Sequence, residues 1–231
     1  MRGETSWIRI AVLSLCKWPV SQQQLPPLIL RVNSRRTTAK DYVAWLAQSA
    51  IGATQVGAQA VWIHQPRPVA EIPGFADGDV SVQDAGAQLA ATWLGIRPGL
   101  RVLDACAAPG GKTAHLAELG ADDLTAVEVD NTRAVRIADN LRRCHLTARV
   151  IVGDAAHPET WLPAAGNASF DRIVLDAPCT ASGIVRRHPD IPWLRRPADV
   201  AQLTTVQLEL LDALWPLLNV GGRLLYVICS L

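Results

Sequence analysis

The chain has 231 residues, of which 49% are hydrophobic and 19% are charged, and its formal net charge is +1. These values are typical of a globular protein, and they exclude both a disordered chain and a uniformly basic nucleic-acid binder. Local basic patches remain compatible with them. The length suffices for one large domain, or for an α/β domain with a small companion.

Cysteine content and hydropathy bear on where the protein works. The five cysteines are an odd number without a CxxC pair, which favours reduced thiols over a disulfide framework or a zinc site. The apolar run from Ile8 to Cys16 is interrupted by Arg9 and is too short to span a membrane. No small-residue cleavage site follows it. We therefore expect a cytoplasmic protein that binds neither a membrane nor a metal.

Residues 25–84 have the pattern of a small α+β subdomain, whereas residues 1–24 show no clear period and are left unassigned. Thr38 is placed to cap a helix, because its hydroxyl can accept a hydrogen bond from the first turn. Two recognisable strands are too few to form an independent sheet. The predicted elements are a strand from Leu28 to Asn33, a helix from Asp41 to Ile51 and a strand from Ala60 to His64.

From residue 85 onward, short apolar runs of strand length alternate with helical stretches. This alternation predicts parallel strands with right-handed crossovers, and therefore an α/β fold with a doubly wound, Rossmann-like sheet over residues 85–231. Ligands of such sheets bind beyond the carboxyl ends of the strands. The predicted strands are Arg101–Ala105, Leu124–Val129, Ala148–Val152, Arg172–Asp176 and Arg223–Cys229, and the predicted helices are Ala85–Leu94, Thr113–Leu119, Thr132–Arg143 and Val200–Leu218.

A glycine-rich loop, residues 106–112, follows the first of these strands and leads into a helix. Glycines let a ligand approach the backbone, and the helix amino terminus offers free N–H groups. The loop matches neither a Walker A motif nor GxGxxG. Glu128 ends the next strand, where a carboxylate can bind ribose hydroxyls, and Asp154 follows the third strand near an adenine position. A ribose and an adenine without phosphate-binding chemistry suggest S-adenosylmethionine; the alternative is a tight turn with incidental glycines.

Two cysteines lie at the carboxyl ends of the last two predicted strands, Cys179 after Pro178 and Cys229 near the end of the chain. A lone cysteine is usually a small core residue, and we expect this of Cys16 and Cys144. A thiol beside a methyl-donor site suits methylation of a pyrimidine at C5, because thiolate addition to C6 makes C5 nucleophilic. A base must then remove the C5 proton. Asp176, close to Cys179, can bind the pyrimidine edge.

Three segments resemble motifs of the RsmB/Sun-type ribosomal RNA cytosine-5 methyltransferases: DACAAPGGKT at 104–113, LDAPCTASGIVRRHPDIPW at 175–193 and YVICSL at 226–231. LRVN at 30–33 and IPGFADGDVSVQDAGAQ at 72–88 fit the same family. The resemblance extends from about residue 26 to the end of the chain. It implies an S-adenosylmethionine-dependent methyltransferase that acts on C5 of a cytosine in small-subunit ribosomal RNA.

The resemblance also implies roles for individual residues. The cysteine that corresponds to Cys229 is the nucleophile in this family, and the one that corresponds to Cys179 assists product release, so the catalytic set is Cys229, Cys179 and Asp176. The cofactor-binding residues that it implies are Cys106, Ala107, Ala108, Pro109, Gly110, Gly111, Lys112, Glu128, Asp154 and Asp176.

Two basic clusters are candidates for RNA contacts. The segment 186–196 concentrates arginines around Trp193, and a second cluster of basic residues lies in the small subdomain. Arginine binds phosphates and an aromatic face can stack an unpaired base, although both clusters are equally compatible with solvated charged loops. The resemblance favours RNA, and the target base must be flipped or unpaired. The predicted RNA-binding residues are Arg31, Arg35, Arg186, Arg187, His188, Arg195 and Arg196.

The chain departs from the family pattern in several places. Ile228 stands where threonine is usual, and Glu128 where many members carry aspartate. By the resemblance, a NusB-like helical domain would precede the catalytic unit and is not expected within this sequence, and two further strands would be expected after Leu231. We therefore expect a sheet that lacks its last two strands, with an exposed edge that allows self-association. The alternative function is a truncated, weakly active or inactive RNA- or cofactor-binding remnant; a nucleotide-binding oxidoreductase is disfavoured by the loop and the thiols.

Overall fold

The computed structural model describes residues 26–166 and 169–230, so the unassigned segment 1–24 and Cys16 lie outside the described residues. Nine strands in two sheets are found within these ranges. The strands are β1 (Leu28–Val32), β2 (Ala53–Gln55), β3 (Ala60–Ile63), β4 (Val80–Val82), β5 (Arg101–Ala105), β6 (Asp123–Glu128), β7 (Arg149–Val152), β8 (Phe170–Asp176) and β9 (Leu218–Val227). The α-helices are α1 (Ala39–Gln48), α2 (Ala85–Leu94), α3 (Gly111–Glu118), α4 (Asn131–Arg143), α5 (Pro158–Ala165), α6 (Ile191–Leu194) and α7 (Pro197–Leu214).

The larger sheet is parallel and has the strand order β7-β6-β5-β8-β9. The chain moves outward from β5 to β6 and β7, then returns to place β8 on the other side of β5. The order therefore reverses between β5 and β8, and this is where doubly wound sheets bind their ligands. The predicted α/β Rossmann-like sheet is confirmed, and the strand ends that carry the predicted site meet at its switch point.

Both faces of this sheet are buried under helices, because successive residues of a strand point to opposite faces. Val102 packs in a cluster with residues of α2, α3 and α4. Its neighbour Leu103 packs in a second cluster with residues of α5 and α7. Because neighbouring residues such as Val102 and Leu103 are buried on opposite faces, these strands are continuous apolar runs in the sequence.

The amino-terminal subdomain contains an antiparallel sheet of order β2-β3-β1-β4, with α1 packed on one face. The predicted strands and the predicted helix with its Thr38 cap are present. Two further strands, β2 and β4, were not predicted, and each has only three residues. Such segments are too short to show an alternating pattern. The expectation of too few strands for a sheet was therefore wrong.

Buried polar contacts join the subdomain to the catalytic sheet. Arg31 on β1 is fully buried, and its Nε and Nη2 donate to the two carboxylate oxygens of Glu118 on α3, each at 2.8 Å. Its Nη1 donates to the Gln83 side chain at 2.6 Å and to the carbonyl of Gly111 at 2.8 Å. Arg143 on α4 reaches the carbonyls of Phe75 and Val80 from the other side. These contacts hold the subdomain against the helices that carry the candidate site.

Two helices departed from the sequence prediction for identifiable reasons. Helix α5 contains Pro158 at its start and Pro163 inside, and proline normally argues against a helix. It forms because Trp161 is 1% exposed in the core beneath the sheet. Helix α6 is a single turn inside the basic segment 186–196, for which the sequence predicts no helix. The predicted final helix ends at Leu214, and a short 3₁₀ turn continues to Leu217.

Candidate active site

The loop after β5 has the geometry of a ligand-binding turn. Cys106 and Gly110 both have positive φ, 60° and 95°. A Cβ on Gly110 would lie 2.9 Å from the Cα of Ile137, so packing against α4 requires glycine at this position. At Gly111 a Cβ would meet nothing nearer than 4.0 Å within the described residues, so packing does not demand glycine there. An open face beside the first turn of α3 leaves room for a ligand at the helix amino terminus.

Glu128 is 2% exposed at the end of β6, directly beside this loop. One carboxylate oxygen accepts from the Ala108 N–H at 3.1 Å, and the other accepts from the Asp130 N–H at 3.2 Å. Arg133 lies 3.5 Å from the second oxygen. Because each carboxylate oxygen can accept two hydrogen bonds, acceptor capacity remains for vicinal hydroxyl groups. The predicted placement of Glu128 next to the loop is thus realised.

Asp104 is a polar residue of the site that the sequence analysis did not single out. It is 0% exposed on β5, and its Oδ2 accepts from the Thr113 hydroxyl at 2.6 Å. Its Oδ1 is buried without a hydrogen-bond partner among the described residues. Burial raises its pKa to about 7, although the Thr113 hydrogen bond acts in the opposite direction. The sequence signal was present, since an acidic residue inside a buried strand is unusual.

Asp154 and Asp176 follow β7 and end β8, as predicted. Asp154 is exposed, and its Oδ1 accepts from the Ala156 N–H at 2.9 Å. Asp176 accepts from Lys112 Nζ at 2.5 Å, which is a salt bridge across the switch point. The pair places one positive and one negative group side by side, where they can bind complementary donor and acceptor groups of a ligand edge.

The two thiols meet, although 50 residues separate them in the chain. Cys179 Sγ lies 3.4 Å from Cys229 Sγ. A hydrogen bond from the Cys229 thiol, followed by one from Ser230, lowers the pKa of Cys179 to about 5, against the opposing effect of burial. The same interaction raises the pKa of Cys229 above its ordinary value. The two sulfurs are therefore within hydrogen-bonding distance of one another, and either thiol can be the donor.

Other cysteines within the described part of the chain do not have this character. Burial, with the negative charge of Glu128 second, raises the pKa of Cys106 to about 12, so its thiol stays neutral. Cys144 is 2% exposed and contacts the Ser81 hydroxyl at 3.6 Å, as expected of a core residue. Among the described cysteines, Cys179 and Cys229 are thus the pair that lie in contact at strand ends.

A second residue that the sequence analysis missed, Ser230, joins the two thiol-bearing segments. Its hydroxyl lies 2.8 Å from the Thr180 hydroxyl and accepts from the Ala181 N–H at 3.2 Å. The Gly183 N–H donates to the Cys229 carbonyl at 2.8 Å. The loop after β8 and the segment after β9 are thus bonded to one another at several points on the carboxyl side of Cys179.

A cavity of about 340 Å³ opens at this end of the sheet. Cys229 lines it together with Lys112 and Asp176, and its rim includes Arg186 and Arg187. Its remaining wall is mainly apolar and comes from α2 and β9. The cavity therefore combines a thiol, an ion pair and two nearby cations, which is a suitable arrangement for a planar polar ring carried by a phosphodiester chain.

The predicted RNA-binding residues differ in how far the structure exposes them. Arg35, His188, Arg195 and Arg196 are exposed, and Trp193 is 88% exposed beside them. Arg187 is half-buried, where it donates to the Pro27 carbonyl at 3.1 Å. Arg31 is buried and bonded to Glu118 and Gln83, so its predicted contact with RNA was wrong. An arginine in a basic cluster suggested a contact with an RNA phosphate. Arg31 instead points into the interior from β1, where its partner is the Glu118 carboxylate.

Comparison with known proteins agrees with this geometry. The fold and site define a Rossmann-like methyltransferase, and a methyltransferase homologue from Pyrococcus horikoshii superimposes with a TM-score of 0.75 at 28% identity, covering 91% of this chain and 67% of that one. The profile of the 16S rRNA methyltransferase RsmB/F family matches residues 91–231, and the ferredoxin-like domain of RsmF/B-like methyltransferases matches residues 20–70. The chain belongs to the RsmB/F family.

Relatives with assigned names are similar over almost the whole chain. The ribosomal RNA small subunit methyltransferase B of Vibrio cholerae is 49% identical over 99% of this chain and 54% of its own length. The protein of the same name from Pseudomonas putida is 45% identical over 97% of this chain and 53% of its own length. The chain thus spans about half the length of these relatives.

No helix among the described residues is long and apolar enough to cross a membrane. Within the same ranges, no group of three or more histidine, cysteine or acidic side chains is arranged to hold a metal ion.

Proposed function

We propose that the chain methylates C5 of a cytosine in small-subunit ribosomal RNA, with S-adenosylmethionine as methyl donor and a covalent cysteine–C6 adduct as intermediate. The observation that carries this proposal is the thiol pair, 3.4 Å apart, with Cys229 in one cavity with Lys112 and Asp176. A methyl transfer to oxygen or nitrogen would not require a thiol in that position. Membership of the RsmB/F family supports ribosomal RNA as the substrate class.

The cofactor would be bound by the loop 106–112 and the acidic residues around it. Glu128 has the burial and the remaining acceptor capacity to bind both ribose hydroxyls, and exposed Asp154 is positioned for the adenine edge. The unpartnered Asp104 Oδ1 is an acceptor buried beneath the loop. When bound, S-adenosylmethionine supplies an electrophilic methyl group.

The thiols would then act in sequence. The Cys229 thiol gives up its proton to solvent, and its sulfur forms a bond to C6 as the ring electrons move towards N3 and O2, while Cys179 stays available as a proton acceptor for the later step. Asp176 and Lys112 hold the polar edge of the cytosine during this addition. After methylation, Cys179 assists removal of the C5 proton, and the C6–S bond breaks to restore the aromatic ring and release Cys229.

RNA would approach over the arginines at the cavity rim and over the exposed Trp193 surface. Arg186 and Arg187 lie at the cavity, and exposed Arg195, Arg196 and His188 extend the basic surface. We further propose that residues 25–84, with exposed Arg35, form an RNA-binding subdomain beside the catalytic domain, residues 85–231. With ribosomal RNA as its substrate, the protein would act in the cytoplasm.

The test is a methylation assay with tritiated S-adenosylmethionine and unmodified 16S ribosomal RNA. Cys229→Ser should abolish transfer, because a serine hydroxyl is too weakly acidic to attack C6 at neutral pH. Cys179→Ser should allow attack but slow release, so that a protein–RNA adduct is retained on a denaturing gel. Cys144→Ala, which alters a thiol outside the cavity, is the matched control.

Two results would overturn parts of this proposal. An adduct trapped by Cys229→Ser and not by Cys179→Ser would reverse the two roles. The absence of both methylation and adduct in the wild-type chain, together with intact cofactor binding, would instead support the alternative of an inactive cofactor-binding remnant.

A further inference from the structure

Gln207, in the middle of α7, bridges the strand that leads to Cys229 and the loop that carries Cys179. Its Nε2 donates to the Pro178 carbonyl at 2.7 Å. Its Oε1 accepts from the Tyr226 hydroxyl, also at 2.7 Å. Gln207 and Tyr226 are both half-buried. The bridge holds Pro178, one residue before Cys179, whereas the hydroxyl of Ser230 contacts Thr180 and Ala181, which follow Cys179.

The chemistry of the three groups determines the direction of both hydrogen bonds. The Pro178 carbonyl can only accept, so the amide nitrogen of Gln207 must face it and the amide oxygen must face Tyr226. The tyrosine hydroxyl must therefore donate. Burial and the nearby Cys179 raise the pKa of Tyr226, which keeps this hydroxyl protonated.

The bridge acts on the one main-chain group by which Pro178 can be held. Proline has no N–H, and its ring restricts φ. The preceding residue, Ala177, is already bonded to the Val227 carbonyl at 2.9 Å. The remaining freedom before Cys179 is rotation of the Pro178–Cys179 peptide plane, and a hydrogen bond to the carbonyl of that plane limits this rotation. The direction in which the Cys179 side chain leaves the backbone depends on it.

We propose that Gln207 is a positioning residue that holds the Cys179 thiol against Cys229, with Tyr226 as its anchor. This inference rests on the proposed function for its catalytic consequence, because Cys179 serves there as proton acceptor. Gln207 does not touch the cofactor loop in the described structure, so its effect is confined to the thiol chemistry.

The first arm of the test measures catalysis. Gln207→Leu removes both hydrogen bonds, and we expect turnover to fall about tenfold while the amount of trapped adduct rises, since the net effect of a typical hydrogen bond corresponds to about this factor. The dissociation constant of the cofactor should stay within about twofold. Gln207→Glu keeps the Tyr226 contact but loses the donor to Pro178 and should resemble Gln207→Leu. Glu209→Leu, an exposed position on the same helix, should behave as wild type.

The second arm does not need RNA. Alkylation of Cys179 by iodoacetamide, followed at its own peptide by mass spectrometry, reports its thiolate as a function of pH. The titratable groups facing this thiol are Cys229 and Tyr226, with Asp176 and Lys112 beyond Cys229, and the Ser230 hydroxyl lies beside it. Arg195 and Asp199 line a pocket together with Cys179 on the side of α7. If Gln207 positions Cys179 among them, Gln207→Leu should move the midpoint upward by about one pH unit. Tyr226→Phe, which removes a single hydroxyl, should move it in the same direction by less.

The two arms separate the possible failures. A wild-type chain that neither methylates nor forms an adduct would refute the proposed function, and the alkylation profile would then decide the inference alone. Unchanged alkylation midpoints in both Gln207→Leu and Tyr226→Phe, measured on folded protein, would refute the positioning role. A lower turnover in Gln207→Leu with an unchanged midpoint and no additional adduct would show a general structural effect and would equally refute it.

Discussion

Replacing Arg31 by methionine should strongly lower the free energy of unfolding of the protein. The affinity of the folded protein for RNA should not change. The guanidinium uses four of its N–H groups, two of them on Glu118, one on Gln83 and one on the Gly111 carbonyl, and both members of the ion pair are buried. Arg31→Met leaves the Glu118 carboxylate without its partner in a site from which water is excluded. Removal of one partner of a buried ion pair typically costs about 3–5 kcal/mol.

The measurement is equilibrium unfolding in urea, followed by far-ultraviolet circular dichroism. Arg31→Met should lower the free energy of unfolding by about 3–5 kcal/mol. Arg35→Met, at an exposed position in the same basic cluster, should change it by less than about 0.5 kcal/mol. The double variant Arg31→Met, Glu118→Leu should recover much of the loss, because no charge then remains buried.

The contrary result is equally specific. If Arg31→Met unfolds at the wild-type urea concentration but binds ribosomal RNA more weakly than Arg35→Met does, Arg31 is an RNA contact. The buried ion pair would then be of no consequence, and our correction of the sequence prediction would itself be wrong.

Three further predictions concern the site and the sheet edge. Because burial raises the Asp104 pKa from 3.8 to about 7, the stability that this residue contributes is fully present below pH 3.8 and is lost as the pH rises through 7. The pKa difference corresponds to at most about 4 kcal/mol in the free energy of unfolding. In urea unfolding at several pH values, Asp104→Asn should remove this pH dependence. An Asp104→Asn profile identical to that of the wild type would show that the pKa of Asp104 is not raised. Glu128→Ala should weaken binding of S-adenosylmethionine in isothermal titration by at least about tenfold, from a micromolar dissociation constant, whereas unchanged affinity would exclude Glu128 from the site. Strand β9 is an edge strand of the described sheet, so sedimentation velocity should show self-association that increases with protein concentration. Val220→Glu, at an exposed position of this strand, should reduce the self-association. A monomer at all concentrations would contradict this prediction.

The elements that the sequence predicted well are those whose apolar patterns are long enough to be distinctive. Strand β5 and helix α2 were predicted with their observed bounds, and the alternation of strands and helices sufficed to predict the parallel sheet. Three-residue strands such as β2 and proline-containing α5 could not be predicted in this way. They form because neighbouring strands and the core supply the stabilisation that their own sequences lack.

The same division applies to the site. Glu128, Asp176 and the loop between Cys106 and Lys112 were predictable, because parallel strands bring their carboxyl ends to one edge. Asp104 lies inside β5 and not after it, so the pattern of polar residues at strand ends does not distinguish it. Gln207 and Ser230 have no distinctive sequence signal, since their role depends only on the atoms that they face.

By itself, the sequence determined the parallel sheet and the positions of the glycine-rich loop and the two thiols at strand ends, because each depends on residue type and on position along a strand. Tertiary structure alone decided which arginines are accessible and that the two thiols contact one another. Arg31 and Arg35 lie four residues apart and have identical side chains, yet one is buried against Glu118 and the other is exposed. Burial and partner are properties of the packed molecule, and they decide whether the same charge binds a helix or remains available for a phosphate.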